Sequence, residues 1–365
     1  MKMEREFTMN AQTKKNLSIV VIIITVLLVI ENAVPAIKIK NVDISNMCDE
    51  IPVKIVSLNP YISTNENFEI AYILSDKGNI YVLRCIEGKY DVDLWQSEFW
   101  DGVEIIDLCA GYLMSYVLAI DNEGKIYIWN KEYASGIRTT VESKKEQWSI
   151  KCLDSIPKVS DIFAAYNQFV IVTETGGVYR WHPKECQCPP IDEMEHIDVE
   201  QPILKVAAID DELLILDQSH ILWNIENGIS KCLQKNVCDI VQGYNGFVVQ
   251  TMNGEIYVHH IHLLEKGYEK TVFADKYEAS KIVVDGVLSM LSASGKAAVV
   301  CMDGDKLYRW GRKGKRGWFG MYGGNEEVYD TPVKINIDMP QYYTLIGKDM
   351  IYIDCQGNMF VMIQD

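Results

Sequence analysis

The chain has 365 residues, 48% hydrophobic and 24% charged, which places it among folded rather than disordered proteins. Asp and Glu number 51 against 35 Lys and Arg, a formal net charge of −16, so a polyanion such as DNA or RNA is repelled and nucleic-acid binding drops out. With 24 glycines and only 10 prolines, collagen-like and Pro-rich classes go too.

The first element is an apolar run from Leu17 to Ile30, interrupted only by Ser18 and Thr25, with Lys14 and Lys15 before it and Glu31 and Asn32 after it. Fourteen residues of helix span about 21 Å, short of the ~30 Å hydrocarbon core. A basic flank, a short apolar run and Val34-Pro35-Ala36 suit a secretory signal cleaved after Ala36. The long lead-in suits an uncleaved anchor reaching to Ile37, with its basic flank in the cytoplasm. Both readings divide the chain into a targeting or transmembrane segment, 1–36, and an extracytoplasmic body, 37–365. The body is then either secreted or anchored to the cell membrane.

Next comes Ala36–Ile44, which alternates apolar and polar residues as an edge strand does. Seven hairpin patterns follow, each an apolar stretch, an Asp/Asn/Gly turn and a second β-type stretch: 71–83, 116–129, 169–181, 212–224, 247–259, 297–310 and 350–362. Gly78, Gly124, Gly176, Gly254, Gly304 and Gly357 take the turn position that demands a positive φ, and Ser219 takes it in the fourth unit. An aromatic follows at Tyr81, Tyr127, Tyr179, Tyr257, Tyr308 and Phe360, with Leu222 in the fourth unit and Trp223 out of step with the other tryptophans. A mean spacing of about 46 residues suits a four-stranded propeller blade. Most hairpins are preceded by a β stretch ending in a small residue (Gly111, Ala165, Ala208, Gly243, Gly286, Gly347), as crowding of innermost strands around an axis requires. The predicted fold is therefore all-β, a seven-bladed β-propeller. The last unit lacks an outer strand, so residues about 37–45 are expected to complete the seventh blade and close the ring.

The unit Val103–Asn130 and the segment Leu307–Gly320, with its Trp310-Gly311 and Gly317-x-x-Gly320, resemble the repeat of the regulator of chromosome condensation family. The resemblance covers about 40–365 and implies a seven-bladed propeller. The eukaryotic activity, on a small GTPase in chromatin, fits neither an exported chain nor this charge. An exported bacterial branch, similar in kind to a propeller-type β-lactamase inhibitor, suits its size and location better.

Ten cysteines all follow the targeting segment, and an even count outside the cytoplasm permits disulfides. Cys109, Cys301 and Cys355 sit in apolar stretches and read as free and buried. The cluster His182, Cys186, Cys188 and His196 lacks zinc-knuckle spacing and reads as an inter-blade loop. His260 and His262 share a strand face and read as solvated, with His259 pointing away. The run Gly311–Gly320, with Arg312, Lys313, Lys315 and Arg316, is basic and Gly-rich but opens no helix, so it lacks the dipole that phosphate loops use. No catalytic signature, cofactor motif or metal site is expected.

Tyr112, Tyr166 and Tyr244 follow innermost strands and line one face near the axis; with Trp318 they are the predicted binding residues. The resulting reading is a monomeric, non-catalytic propeller that binds an unidentified protein partner, with a membrane contact through the N-terminal segment if it is uncleaved. The alternatives are a lyase or glycosidase using mouth carboxylates such as Asp210 and Asp285, and a purely structural surface protein.

Overall fold

A computed structural model describes residues 37–47, 49–57, 68–86, 89–95, 102–110, 116–130, 151–166, 168–182, 191–199, 202–209, 212–243, 246–259, 269–283, 290–294, 298–303, 306–313, 327–335, 340–346 and 349–364. The apolar run 17–30 lies outside them. Among the described residues there is no α-helix, and no helix long and apolar enough to cross a membrane.

After β1 (Ile37–Asn41), the first complete sheet pairs β2 (Pro52–Ser57), β3 (Phe68–Ser75), β4 (Ile80–Ile86) and β5 (Lys89–Leu94) in chain order. The second pairs β6 (Ile105–Ala110), β7 (Tyr116–Asp121), β8 (Ile126–Asn130) and β9 (Lys151–Cys152). The third is β10 (Val159–Ala165), β11 (Gln168–Thr173), β12 (Val178–Trp181) and β13 (Glu195–Ile197). In the fourth are β14 (Ile203–Ile209), β15 (Glu212–Asp217), β16 (Ile221–Glu226) and β17 (Ile229–Lys235). The fifth has an extra strand: β18 (Val237–Gly243), β19 (Gly246–Thr251) and β20 (Glu255–His259) are followed by β22 (Tyr277–Val283), with β21 (Glu269–Phe273) outermost. The sixth comprises β23 (Met290–Ser294), β24 (Ala298–Asp303), β25 (Lys306–Lys313) and β26 (Glu327–Ile335). The last consists of β27 (Pro340–Ile346), β28 (Asp349–Asp354) and β29 (Met359–Gln364), with β1 on the outer edge of β29, Ile37 opposite Gln364 and Asn41 opposite Phe360.

Every strand pair in these sheets is antiparallel, and the first strands of successive sheets touch in chain order from β2 through β6, β10, β14, β18, β23 and β27, with β27 also touching β2. The described strands thus form an all-β propeller whose first strands are innermost. Small residues allow that crowding: Ala165, Ala207 and Ala208 have no exposed surface. Cores form between neighbouring sheets. Trp129, for example, packs on Tyr72 and Trp95 of the preceding sheet at 5.5 and 4.9 Å.

The turns between second and third strands lie at one end of the sheets, where the first strands begin; this end is called the upper face. The lower face carries the turns that end the first strands. The upper turns of the first, second, third and seventh sheets are built alike. In the second sheet Asp121 Oδ1 accepts the amides of Glu123 and Lys125, both at 2.9 Å, its Oδ2 accepts the Tyr127 hydroxyl at 2.6 Å, and Gly124 takes φ 79°. Burial, then the Asp121 contact, pushes the Tyr127 phenol well above its ordinary range. Ser75, Thr173 and Asp354 play the part of Asp121 in the first, third and seventh sheets.

The fourth turn departs from the expected positions. His220, with φ 61°, takes the left-handed place instead of Ser219, and Trp223 instead of Leu222 takes the aromatic place opposite Ile215. Cys355 is also corrected: it is exposed in the 354–358 turn, because Asp354 and not Cys355 ends the apolar strand.

Candidate functional site

Where the first strands begin, a β-bulge interrupts six of the seven first-to-second strand pairings, between residues 52 and 54, 105 and 107, 159 and 161, 203 and 205, 237 and 239, and 340 and 342. A bulge places an extra residue at the strand end and re-aims its neighbours, so a side chain that strict alternation would bury reaches the surface. The bulged residues Ile106 and Leu204 are 51% and 40% exposed for this reason.

The residue after each bulge is charged in the first five sheets: Lys54, Asp107, Asp161, Lys205 and Asp239. Lys54 pairs with Asp107, joining the first and second sheets, and Lys205 pairs with Asp239 at 2.7 Å, joining the fourth and fifth. Asp161 stands exposed on the sheet between these pairs. Burial raises the Asp239 carboxyl above its ordinary range, and Lys205 only partly opposes that. Beneath them Cys109 is buried, and burial drives its thiol far upward, as expected of a packing residue and not a nucleophile. Cys238, a bulge residue, is pushed up to about 11, chiefly by burial and then by Asp239. This upper axial mouth combines exposed aliphatic groups with ion pairs that join neighbouring sheets.

A second concavity, of about 360 Å³, lies between β17 and the fifth sheet, with Lys235, Asn236, Asn253, Glu255 and Tyr257 on its walls. Close to the lower face, Tyr277 donates to Glu212 at 2.6 Å, and Lys276 joins Glu212 and Glu226 at 2.9 and 3.1 Å. Those bonds tie the additional hairpin of the fifth sheet to the fourth.

Of the predicted binding residues, Tyr112, Tyr244 and Trp318 lie outside the described residues. Tyr166 ends β10 on the lower face with φ 34°, half-buried against the core around Ala165 and Val170. Asp210, Asp285, Cys186, Cys188, His260, His262 and the basic loop beyond Lys313 also lie outside. His259 is buried, stacked on Phe247 at 4.9 Å and hydrogen-bonded through Nδ1 to the Glu278 carbonyl at 2.6 Å. Among the described residues no three His, Cys, Asp or Glu side chains are grouped to hold a metal ion. Cys109, Cys152, Cys232, Cys238 and Cys355 are free thiols. A bulge is invisible to a two-residue period, so the axial mouth is legible in the sequence only as a charged residue near the start of the first strand in the first five sheets.

No protein family and no curated relative matches the chain by sequence. Solved propellers do match by shape. The WD40 β-propeller domain of Doa1 is similar at a TM-score of 0.54 and 8% identity, over 91% of this chain and 98% of that one. Yeast RCC1 (Prp20), in its complex with Kap60, is similar at 0.52 and 13% identity, over 84% and 82%. Human WBSCR16 is similar at 0.52 and 12%, over 87% and 88%. These likenesses support an RCC1-like propeller fold.

Proposed function

We propose that this chain is a non-catalytic, protein-binding propeller of seven blades, closed by β1 as the outer strand of the seventh, and carried outside the cytoplasm by residues 1–36. Six four-stranded sheets and one five-stranded sheet support the blade count, and the pairing of β1 with β29 supports the closure. The basic flank and apolar run of 14–30 support export, either as a cleaved product or as a tethered one.

The observation that carries the binding reading is the upper axial mouth. Ile106 and Leu204 stand out from rigid strands beside the Lys54–Asp107 and Lys205–Asp239 pairs. Exposed aliphatic groups ringed by polar ones are the ordinary composition of an interface centre and rim. A structural neighbour, yeast RCC1, was solved with a protein bound, which suits the same class of partner.

The test is crosslinking of the full-length chain in its envelope fraction, followed by mass spectrometry, with Ile106→Asp/Leu204→Asp and Tyr166→Ala as variants. Loss of the crosslinked partner in the double variant, with Tm unchanged and Tyr166→Ala still competent, is the expected result. Retention by the double variant refutes the mouth as the site; recovery of the chain from the cytoplasm refutes the export reading.

A further inference from the structure

We infer that the lower face of the propeller lies against the lipid bilayer and the axial mouth opens away from it. This rests on the tethered form of the proposed export, and concerns the orientation that the fold imposes on it.

The register of the closing strand sets the orientation. β29 leaves the upper turn at Met359 and runs to the lower face at Gln364; β1 pairs with it antiparallel, starting at Ile37 opposite Gln364. The chain therefore joins the propeller at its lower face. Only residues 31–36 separate the apolar run from β1, and even with none of them spent inside the bilayer, six residues reach at most about 20 Å. The seven-residue innermost strand β10 is about 23 Å long, which measures the distance between faces. A headgroup layer adds roughly 6 Å on that side of the membrane. Bringing the upper face to the bilayer would require the linker to cover about 29 Å, which exceeds its reach.

What the lower face presents agrees with this. The two most exposed large aliphatic side chains among the described residues lie there: Ile229 at 63%, just after the 227–228 turn, and Val272 at 55%, near the lower end of β21. Beside them Glu212 and Glu226 are both paired with Lys276, and Glu226 also with Lys231 at 2.6 Å. At this rim aliphatic groups thus stand beside lysine-paired carboxylates, with Asp275 and Glu278 exposed in the same turn, a mixture that an interface of lipid headgroups tolerates.

The experiment uses the full-length chain in native membranes, with a benzophenone-bearing amino acid introduced at Ile229 on the lower face or at the exposed Gln218 in an upper turn. Irradiation followed by mass spectrometry reads covalent lipid adducts. Adducts at position 229, with none above background at 218, are expected. Adducts at 218, or none at 229 in a chain that remains membrane-bound, overturn the orientation while leaving the tether intact. A soluble species starting near Ile37 overturns the tether, and the orientation with it.

Discussion

The second and fourth sheets build the same upper turn from different residues. In the second, Asp121 anchors the turn, Gly124 supplies the left-handed residue and Tyr127 returns a hydroxyl to Asp121 Oδ2. In the fourth, Asp217 Oδ1 accepts the Ile221 amide at 2.9 Å, His220 supplies the left-handed residue and the Trp223 indole N–H donates to Asp217 Oδ2 at 2.7 Å. Both turns then dock on the next sheet: the Gly124 carbonyl accepts the Val159 amide at 2.9 Å, and the His220 carbonyl accepts the Val237 amide at 3.0 Å. The acceptor at the turn's start and the docking carbonyl are common to both. Glycine and tyrosine are one solution among several.

Removing the acceptor has the largest expected effect. Asp121 is buried and holds two amides and a phenol, so Asp121→Ala strands three donors and should lower stability by about 4 kcal/mol. Asp217→Ala strands two and should lose about 3 kcal/mol. Urea denaturation of both variants checks the order. Equal losses would mean that the Glu123 amide bond, which has no counterpart at Asp217, contributes nothing.

Glycine comes next. A Cβ on Gly124 would meet the Val159 carbonyl oxygen at 3.0 Å and its nitrogen at 3.1 Å, backbone that cannot retreat without opening the joint between sheets. Gly176 has the same conformation but nothing within 4 Å of such a Cβ. Gly124→Ala should therefore lose about 3 kcal/mol and Gly176→Ala only about 1 kcal/mol, the cost of the left-handed backbone alone. Comparable midpoints for the two variants would show that docking onto the third sheet is not tight.

This turn chemistry explains what was legible in the sequence. A hairpin is a local object, so an acidic or hydroxyl residue followed by glycine and an aromatic marks it without knowledge of the rest of the chain. In the fourth unit no glycine stands in the turn, and a glycine-centred pattern selects its small neighbour Ser219 and with it Leu222 in the aromatic place. Counting six residues from Asp217, as from Asp121 to Tyr127, leads to Trp223. The Asn227-Gly228 pair, with φ 52° and 75°, is a readable turn signal in the same unit. Less accessible were the fifth strand of the fifth sheet and the axial mouth. The first depends on long-range contacts such as Tyr277 with Glu212, 65 residues apart; the second depends on bulges that shift register by one residue.

Charge gives a smaller contrast between sheets, and the two carboxyls concerned act in opposite directions with pH. Burial pushes Asp354 upward, but bonds from Asn358, Gln356 and Gly357 outweigh it and hold the carboxyl below its ordinary value of 3.8. Its contribution is present above that value and is lost as pH falls through the lowered folded pKa. Asp239 is raised by burial, so its charged form weakens the fold at neutral pH, and stability is regained as pH falls through the raised value toward 3.8. Asp239→Asn should thus gain relative to the parent at pH 7, and the gain should shrink toward pH 4. Melting curves across that range check it; a variant that is instead less stable than the parent at pH 7, with the deficit shrinking toward pH 4, would place the Lys205 pairing above the burial penalty.

The smallest effect is the most informative about the opening contrast. His220 accepts a left-handed backbone that disfavours any side chain by about 1–2 kcal/mol, yet its ring returns a bond, since Nδ1 lies 3.1 Å from the Val237 carbonyl and must carry the proton there. His220→Gly removes the strain and the bond together, so the two nearly cancel and the change in stability should stay within about 1 kcal/mol. His220→Ala keeps the strain and discards the bond, and should be the less stable of the two by about 1 kcal/mol. If alanine equals histidine while glycine is clearly better, the ring bond is idle and the fourth turn is merely tolerated. If both variants fall together, the ring is what locks the fourth sheet to the fifth, and the residue that departs from the repeat has become the joint's principal contact.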